Sequence, residues 1–323
     1  MEHLKPVEIS DIFTARKRIS PHITPTHANN YPALDHLFGG EVWVKHENHH
    51  HTGAFKVRGG INLCAAMSKN QRKRGIVGAS TGNHGQSLAY AASLFDMKAQ
   101  IFVPEESNPE KIRAMKHFGA EIVYFGENYE TCRRQAKSVA NEQGMRFVSG
   151  GNEPLLIAGV GTYALELFEH VPDLDVLYVP VGGGSGACGC CVAGQAVSPK
   201  TKIIGVQSTH ASAVYQSWKT GEEKTTETAD TFAEGLATLA AFRYPLQMLR
   251  TGLDDFVLVD DDELRQAVRL LFTYTHNVAE GAGAAAFAAA YRDRKSLAGR
   301  KVGVIMSGGN LTLETLTKIL VEK

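Results

Sequence analysis

DVLYVPVGGGSGACGCC, residues 175–191, carries an apolar run into Val179-Pro180-Val181, then Gly182-Gly183-Gly184-Ser185-Gly186 and a stretch of small residues. The apolar run reads as a buried β-strand and the small-residue stretch as a helix, so the glycines sit at a strand-to-helix turn. Glycines there remove the Cβ atoms that would keep a ligand away from successive backbone N–H groups and from the helix N-terminus, and both attract phosphate. Gly184-x-Gly186-x-x-Gly189 also satisfies the dinucleotide fingerprint, which makes a nicotinamide-dependent oxidoreductase a rival. Such a site needs an acidic side chain for the ribose about 20 residues on. The next apolar run, TKIIGVQS (201–208), ends instead in Gln207 and Ser208. A purely structural glycine turn is the third reading.

Outward from this loop, strand-like and helix-like stretches alternate. Upstream lie GEVWVKHE (40–47), a helix from about Ala54, RGIVGAS (74–80), a helix from Asn83, AQIFVPE (99–105), a helix around Lys111, and EIVYFG (121–126). Downstream lie TKIIGVQS, FVLVDD (256–261) and KVGVIMSGG (301–309), with helices such as DELRQAVRLLFTYTHN (262–277) between them. Alternation of this kind predicts an α/β class with parallel sheets covered by helices, in two lobes with ligand at the carboxyl ends of strands. No internal repeat is evident, and TGEEKTTETADT (220–231) reads as an exposed connection.

Composition narrows the partners. Of 323 residues 43% are hydrophobic and 21% charged, and Lys+Arg and Asp+Glu are both 34. With no net field and no basic run, nucleic acid and anionic membranes are not expected partners, and a small molecule is. MEHLKPVEIS lacks a basic-then-apolar leader and no apolar stretch reaches membrane-span length, so a cytoplasmic protein is expected. Five cysteines, Cys64, Cys132, Cys188, Cys190 and Cys191, then read as reduced thiols. Cys188 and Cys191 have CxxC spacing without a partner pair, so small thiols packed on a helix are expected rather than a metal site.

Three further segments bear chemistry. Lys45-His46-Glu47-Asn48 leads into Thr52-Gly53-Ala54-Phe55-Lys56, a polar approach to a lysine beside an aromatic ring. Partial desolvation there would lower the lysine pKa and favour Schiff-base chemistry. Ser80-Thr81-Gly82-Asn83-His84-Gly85 opens an alanine-rich helix, as a receptor for a carboxylate or simply as a helix capped by Ser80 or Thr81. Ser307-Gly308-Gly309-Asn310 closes the last strand, where a hydroxyl could meet a ligand or only cap a turn. His46, His49, His50 and His51 suggest a metal carrier or, more simply, a solvated run.

These four segments, in this order, resemble the fold-type II pyridoxal-phosphate (PLP) enzymes, tryptophan synthase β-like in fold, and specifically the branch of serine/threonine dehydratases and serine racemases. The resemblance extends from Ile19-Ser20-Pro21 and Thr24-Pro25 through Glu153-Pro154, Gly159-Val160-Gly161-Thr162 and Ala233-Glu234-Gly235 to Ser307-Gly308-Gly309-Asn310. It implies that Lys56 carries pyridoxal 5'-phosphate and acts as the Cα base, and that Phe55 and Asn83 contact its ring. It further implies that Gly182, Gly183, Gly184, Ser185 and Gly186 hold the phosphate, with Gly235 beside the cofactor and Ser307 on the pyridine nitrogen. Ser80, Thr81, Asn83 and His84 would surround the substrate carboxylate. A neutral serine at the ring nitrogen makes the ring a modest electron sink, which suits β-elimination. The cofactor phosphate would be the acid for the departing hydroxyl.

The implied activity is dehydration and deamination of a β-hydroxy amino acid, threonine or serine by default, to a 2-oxo acid and ammonia. Racemisation is the alternative, with Thr81 as the opposite-face group; serine racemases carry serine there, and threonine is stiffer. Bulkier substrates such as phenylserine or 3-hydroxyaspartate stay open through Ala241-Phe242-Arg243-Tyr244-Pro245, where Arg243 either pairs with a substrate carboxylate or is solvated. The resemblance further implies a large cofactor domain of residues 1–68 and 152–323, a small domain of residues 69–151, and a homodimer. Gln207 and Ala213 replace the acidic ligands that hold a divalent cation in serine racemases, so no metal is expected there unless Glu234 serves a displaced site. No C-terminal regulatory domain is expected after LTLETLTKILVEK (311–323).

Overall fold

The computed structural model describes residues 4–107 and 109–321. The chain runs α1 (Ile9–Ile19), β1 (Ala28–Asn30), α2 (Pro32–Phe38), β2 (Glu41–His46), α3 (Lys56–Ala66), α4 (Lys69–Arg74), β3 (Ile76–Ala79), α5 (Asn83–Leu94), β4 (Ala99–Val103), α6 (Pro109–His117), β5 (Glu121–Tyr124), α7 (Tyr129–Gln143) and β6 (Arg146–Val148). It continues with α8 (Pro154–His170), β7 (Val176–Pro180), α9 (Ser185–Val197), β8 (Lys202–Ser208), α10 (Ala213–Thr220), α11 (Arg243–Gly252), β9 (Asp255–Val259), α12 (Asp261–Thr275), α13 (Gly281–Asp293), β10 (Lys301–Met306) and α14 (Leu313–Val321).

Two sheets result, as the alternation predicted. One has the order β1-β2-β10-β7-β8-β9 and is parallel except for the β1–β2 pair; the other is parallel throughout, in the order β5-β4-β3-β6. Central parallel strands are covered on both faces, and AQIFV in β4 is buried at every position, including Gln100, whose amide donates to Glu121 at 3.1 Å. Helix ends follow local chemistry. Asp260 and Glu263 cap α12 reciprocally, and Pro154 at the first turn of α8 follows Glu153, whose carboxylate accepts from Leu155 N. The predicted connection at 220–231 is irregular and mostly exposed.

α3 carries a buried ionic network. Arg58 on α3 donates from Nε to Glu47 Oε2 at 2.7 Å and from Nη2 to Glu47 Oε1 at 2.9 Å. Its Nη1 reaches Glu166 Oε1 at 2.6 Å and Thr162 Oγ1 at 3.0 Å, and Lys45 Nζ reaches Glu166 Oε2 at 2.6 Å. Two cations therefore face two carboxylates, which is how charges are tolerated in a core. The histidine run is not uniformly solvated. His46 and His50 are buried, the first with its ring stacked 4.8 Å from His49 and its Nε2 2.8 Å from the Tyr31 hydroxyl, the second with Nε2 3.2 Å from Glu47 Oε2. The sequence conceals this because a polar run gives no sign of which members the network recruits.

Candidate active site

Lys56 is the first residue of α3, and the chain before it is pinned to the end of β10. Phe55 N donates to the Ser307 carbonyl at 3.0 Å, and Gly309 N donates to the Gly53 carbonyl at 2.9 Å. Its amine donates to Ser185 Oγ at 2.8 Å and lies 4.9 Å from the Phe55 ring centre. Burial lowers its pKa to about 8 against a small opposing effect of Cys188. Roughly a tenth of the amines are then neutral at pH 7, against far fewer for a solvated lysine. The Phe55 ring lies against Gly186 of the loop and edge-on to Tyr163.

The glycine loop meets the requirements of an anion receptor. Gly184 takes φ +91°, a backbone conformation that side chains resist, and caps α9. A Cβ on Gly182 would collide with the Gly235 carbonyl oxygen. The N–H groups of Gly182, Gly183, Gly184, Ser185 and Gly186 have no hydrogen-bond acceptor among the described residues, and they sit at the positive end of α9. Five free amides beside a lysine amine fit a phosphorylated aldehyde. Cys188, Cys190 and Cys191 on α9 are buried thiols, so small-residue packing holds there.

The third segment caps α5 differently from the sequence expectation. Neither Ser80 nor Thr81 is the cap; Gly82 is, with no side-chain cap bond, while Ser80 Oγ accepts from Gly82 N at 3.2 Å. The two hydroxyls are thereby left out of the helix cap, and Thr81 has no hydrogen-bond partner among the described residues. His84 is buried with Nε2 unpaired, and burial followed by the Lys56 charge pushes its pKa down to about 3, so its ring is neutral. The segment is joined to α3 by Ser87, whose Oγ donates to the Lys56 carbonyl at 2.6 Å.

Ser307 is buried at the end of β10, its hydroxyl 3.4 Å from the Ala282 carbonyl. Next to it Asn310 and Asn83 form a chain of amides that ends on Glu280, the member sequence reading passed over. Asn310 Nδ2 donates to the Thr52 carbonyl and to Asn83 Oδ1, each at 2.7 Å, and Asn83 Nδ2 donates to Glu280 Oε1 at 2.7 Å. Burial raises Glu280 to about 7. The available signal was a single acid, Ala279-Glu280-Gly281, heading an otherwise alanine-rich helix. Arg243 is exposed and 3.6 Å from Glu223, so it is a surface ion pair, while Phe242 covers Gly183. Gln207 is engaged with Thr238 Oγ1 and Tyr215 N, and Glu234 pairs with Lys111.

Comparison with known proteins agrees with this geometry. The family described as "Pyridoxal-phosphate dependent enzyme" matches residues 19–308. The chain is similar to the L-threonine ammonia-lyase of Thermotoga maritima, 33% identical over 97% of this chain and 78% of the relative. It is similar to the L-threo-3-hydroxyaspartate ammonia-lyase of Saccharomyces cerevisiae, 32% identical over 96% and 95%. Among solved structures, maize serine racemase superposes with a TM-score of 0.92 at 30% identity, covering 98% of this chain and 97% of that one. From the cradle of free amides, the lysine at its edge and these likenesses together, the chain belongs to the pyridoxal-phosphate dependent enzymes of fold-type II.

Proposed function

We propose that this enzyme removes water and then ammonia from a small β-hydroxy amino acid, threonine or serine by default, leaving a 2-oxo acid. The carrying observation is the Lys56 amine, its pKa lowered to about 8 and held against the loop of free amides. Lys56 would hold the cofactor aldehyde, Gly182 to Gly186 its phosphate, with Gly235 beside it, and Asn83, Phe55 and Ser307 its ring. Bound there, pyridoxal phosphate holds the substrate amine and withdraws electrons from Cα. The chain supplies the rest. Ser80, Thr81, Asn83 and the α5 N-terminus receive the substrate carboxylate with hydroxyls and unpaired N–H groups. Neutral His84 adds a hydrogen-bonding edge without charge. The freed Lys56 amine takes the Cα proton, for which a pKa near the working pH is the effective one. A serine hydroxyl at the ring supports prompt loss of the β-hydroxyl over a persistent carbanion.

A second reading, racemisation, is favoured by the unpartnered Thr81 hydroxyl and would use it as a proton donor on the other face. Ammonia and 2-oxo acid assays over β-hydroxy amino acids, together with chiral analysis of unreacted substrate, separate the two. Lys56→Ala should abolish turnover while the phosphate loop still binds cofactor; near-normal turnover in that variant would refute the assignment. A purified protein that never acquires a PLP-type visible band would refute the assignment of the cofactor to this cleft.

We further place the lobes at 1–68 with 152–323 and at 69–151, supported by the four-stranded sheet drawing its strands only from residues between Ile76 and Val148. Free, buried cysteines support a reducing compartment, the cytoplasm. Exposed Phe272 on α12 and Leu313 and Leu320 on α14 support a homodimer, which sedimentation velocity tests. No helix among the described residues is long and apolar enough to cross a membrane.

A further inference from the structure

Glu280 is the N-cap residue of α13, yet its carboxylate makes no cap bond to that helix. An acid at that position ordinarily binds its own helix N–H groups. Here it is turned into the cleft. Oε1 accepts from Asn83 Nδ2, lies 2.5 Å from where a Cβ on Gly308 would stand and 3.9 Å from where one on Gly235 would stand. It thus sits among three segments that border the cofactor cleft.

We propose that Glu280 is a positioning residue: with Asn310 it fixes the direction in which the Asn83 amide faces the cofactor ring. This rests on the cofactor reading above. The oxygen and nitrogen of an amide look alike in shape, so their assignment follows from what they must bond. The chain here is anchored at one end by the Thr52 carbonyl, which can only accept, and at the other by Glu280, which only accepts once it is ionised. The Thr52 carbonyl requires Nδ2 of Asn310 on its side; that nitrogen's other hydrogen requires Oδ1 of Asn83; and Nδ2 of Asn83 is then turned to Glu280. One N–H of Asn83 remains without a protein partner and is available to the oxygen on the ring. With Glu280 removed, the Asn83 amide loses one of its two anchors. The charged groups facing Glu280 are Lys111 and Glu234, themselves an ion pair, the first lowering and the second raising its pKa after the larger effect of burial. Its carboxyl therefore titrates near neutral pH, and the bond to Asn83 strengthens as it ionises.

The test compares loaded enzyme with its Glu280→Gln, Glu280→Ala and Asn310→Ala variants by visible absorption of the bound cofactor across neutral pH, by cofactor affinity and by kcat and KM on threonine. The expected result is a changed band in all three and loss of its titration near neutral pH in both Glu280 variants. In Glu280→Ala kcat should fall about tenfold, the size of a lost hydrogen bond to a charged group, with KM within about twofold. Gln keeps an acceptor oxygen and should restore most of the cofactor affinity but not the titration. Bands and pH profiles in Glu280→Gln and Asn310→Ala that coincide with the parent overturn the proposal, whether or not Glu280→Ala folds. A parent chain that captures no cofactor overturns the functional reading and this one with it; captured cofactor with unmoved spectra overturns this one alone.

Discussion

Replacing Arg58 by methionine should destabilise the protein strongly, and by a pH-dependent amount. Arg58 makes two hydrogen bonds to Glu47 and two to Glu166, and it and Glu47 are essentially inaccessible to water. Methionine fills the volume but leaves two carboxylates facing the single ammonium of Lys45, which bonds Glu166 at 2.6 Å. Removing one partner of a buried pair costs about 3–5 kcal/mol, because the remaining charge is uncompensated. At about 2.1 cal/mol/K of unfolding entropy per residue, a chain of this length would then melt roughly 4–7 °C lower.

The sign with pH follows from Glu47. In the parent, burial alone would raise its pKa, but the Arg58 charge, with His50 and Lys45, holds it well below the usual 4.5. That contribution is present above pH 4.5 and is lost as pH falls further, through the depressed folded value. In Arg58→Met burial dominates and the folded pKa rises above the unfolded one. The variant's penalty is then full at neutral pH and relieved as pH falls towards 4.5, the unfolded value. Thermal denaturation of the cofactor-loaded proteins at several pH values measures both effects. A Tm loss below about 2 °C at neutral pH, or a gap that widens on acidification, would refute the argument.

Gly182→Ala should abolish cofactor retention, since the new Cβ would meet the Gly235 carbonyl oxygen and the loop could not keep its amides in place; equilibrium binding of pyridoxal phosphate by fluorescence checks this. In the apo protein, the rate at which Lys56 captures added pyridoxal phosphate should rise with pH through about 8, because only the neutral amine is nucleophilic. A rate that keeps rising past that value into the range of ordinary lysines, without levelling off, would show Lys56 to be unperturbed. Activity and Tm should be insensitive to EDTA, because the Gln207 amide is bonded to Thr238 and Tyr215 and supplies no charge for a hard cation; a chelator-induced loss restored by magnesium would contradict this.

Sequence alone determined much of this protein. Strand-to-helix alternation is a short-range pattern with a distinct period for each element, so DVLYVPVGG and AQIFVPE announced buried parallel strands, and the glycines after the first announced an anion site. Lys56 beside Phe55 was legible for the same reason, since a few adjacent residues carry the chemistry. The alternative of Ser80 or Thr81 as the cap of α5 fails because Ser80, Thr81 and Gly82 all suit a helix start, and only the backbone path selects Gly82. What the tertiary structure decided was everything that depends on partners far apart in the chain. Burial lowers Lys56 and raises Glu280; β10 brings Asn310 to Asn83 and Thr52; and Arg58 draws Glu47 and Glu166 into one network. Desolvation and hydrogen-bond geometry are properties of those encounters, and no local window of sequence contains both partners.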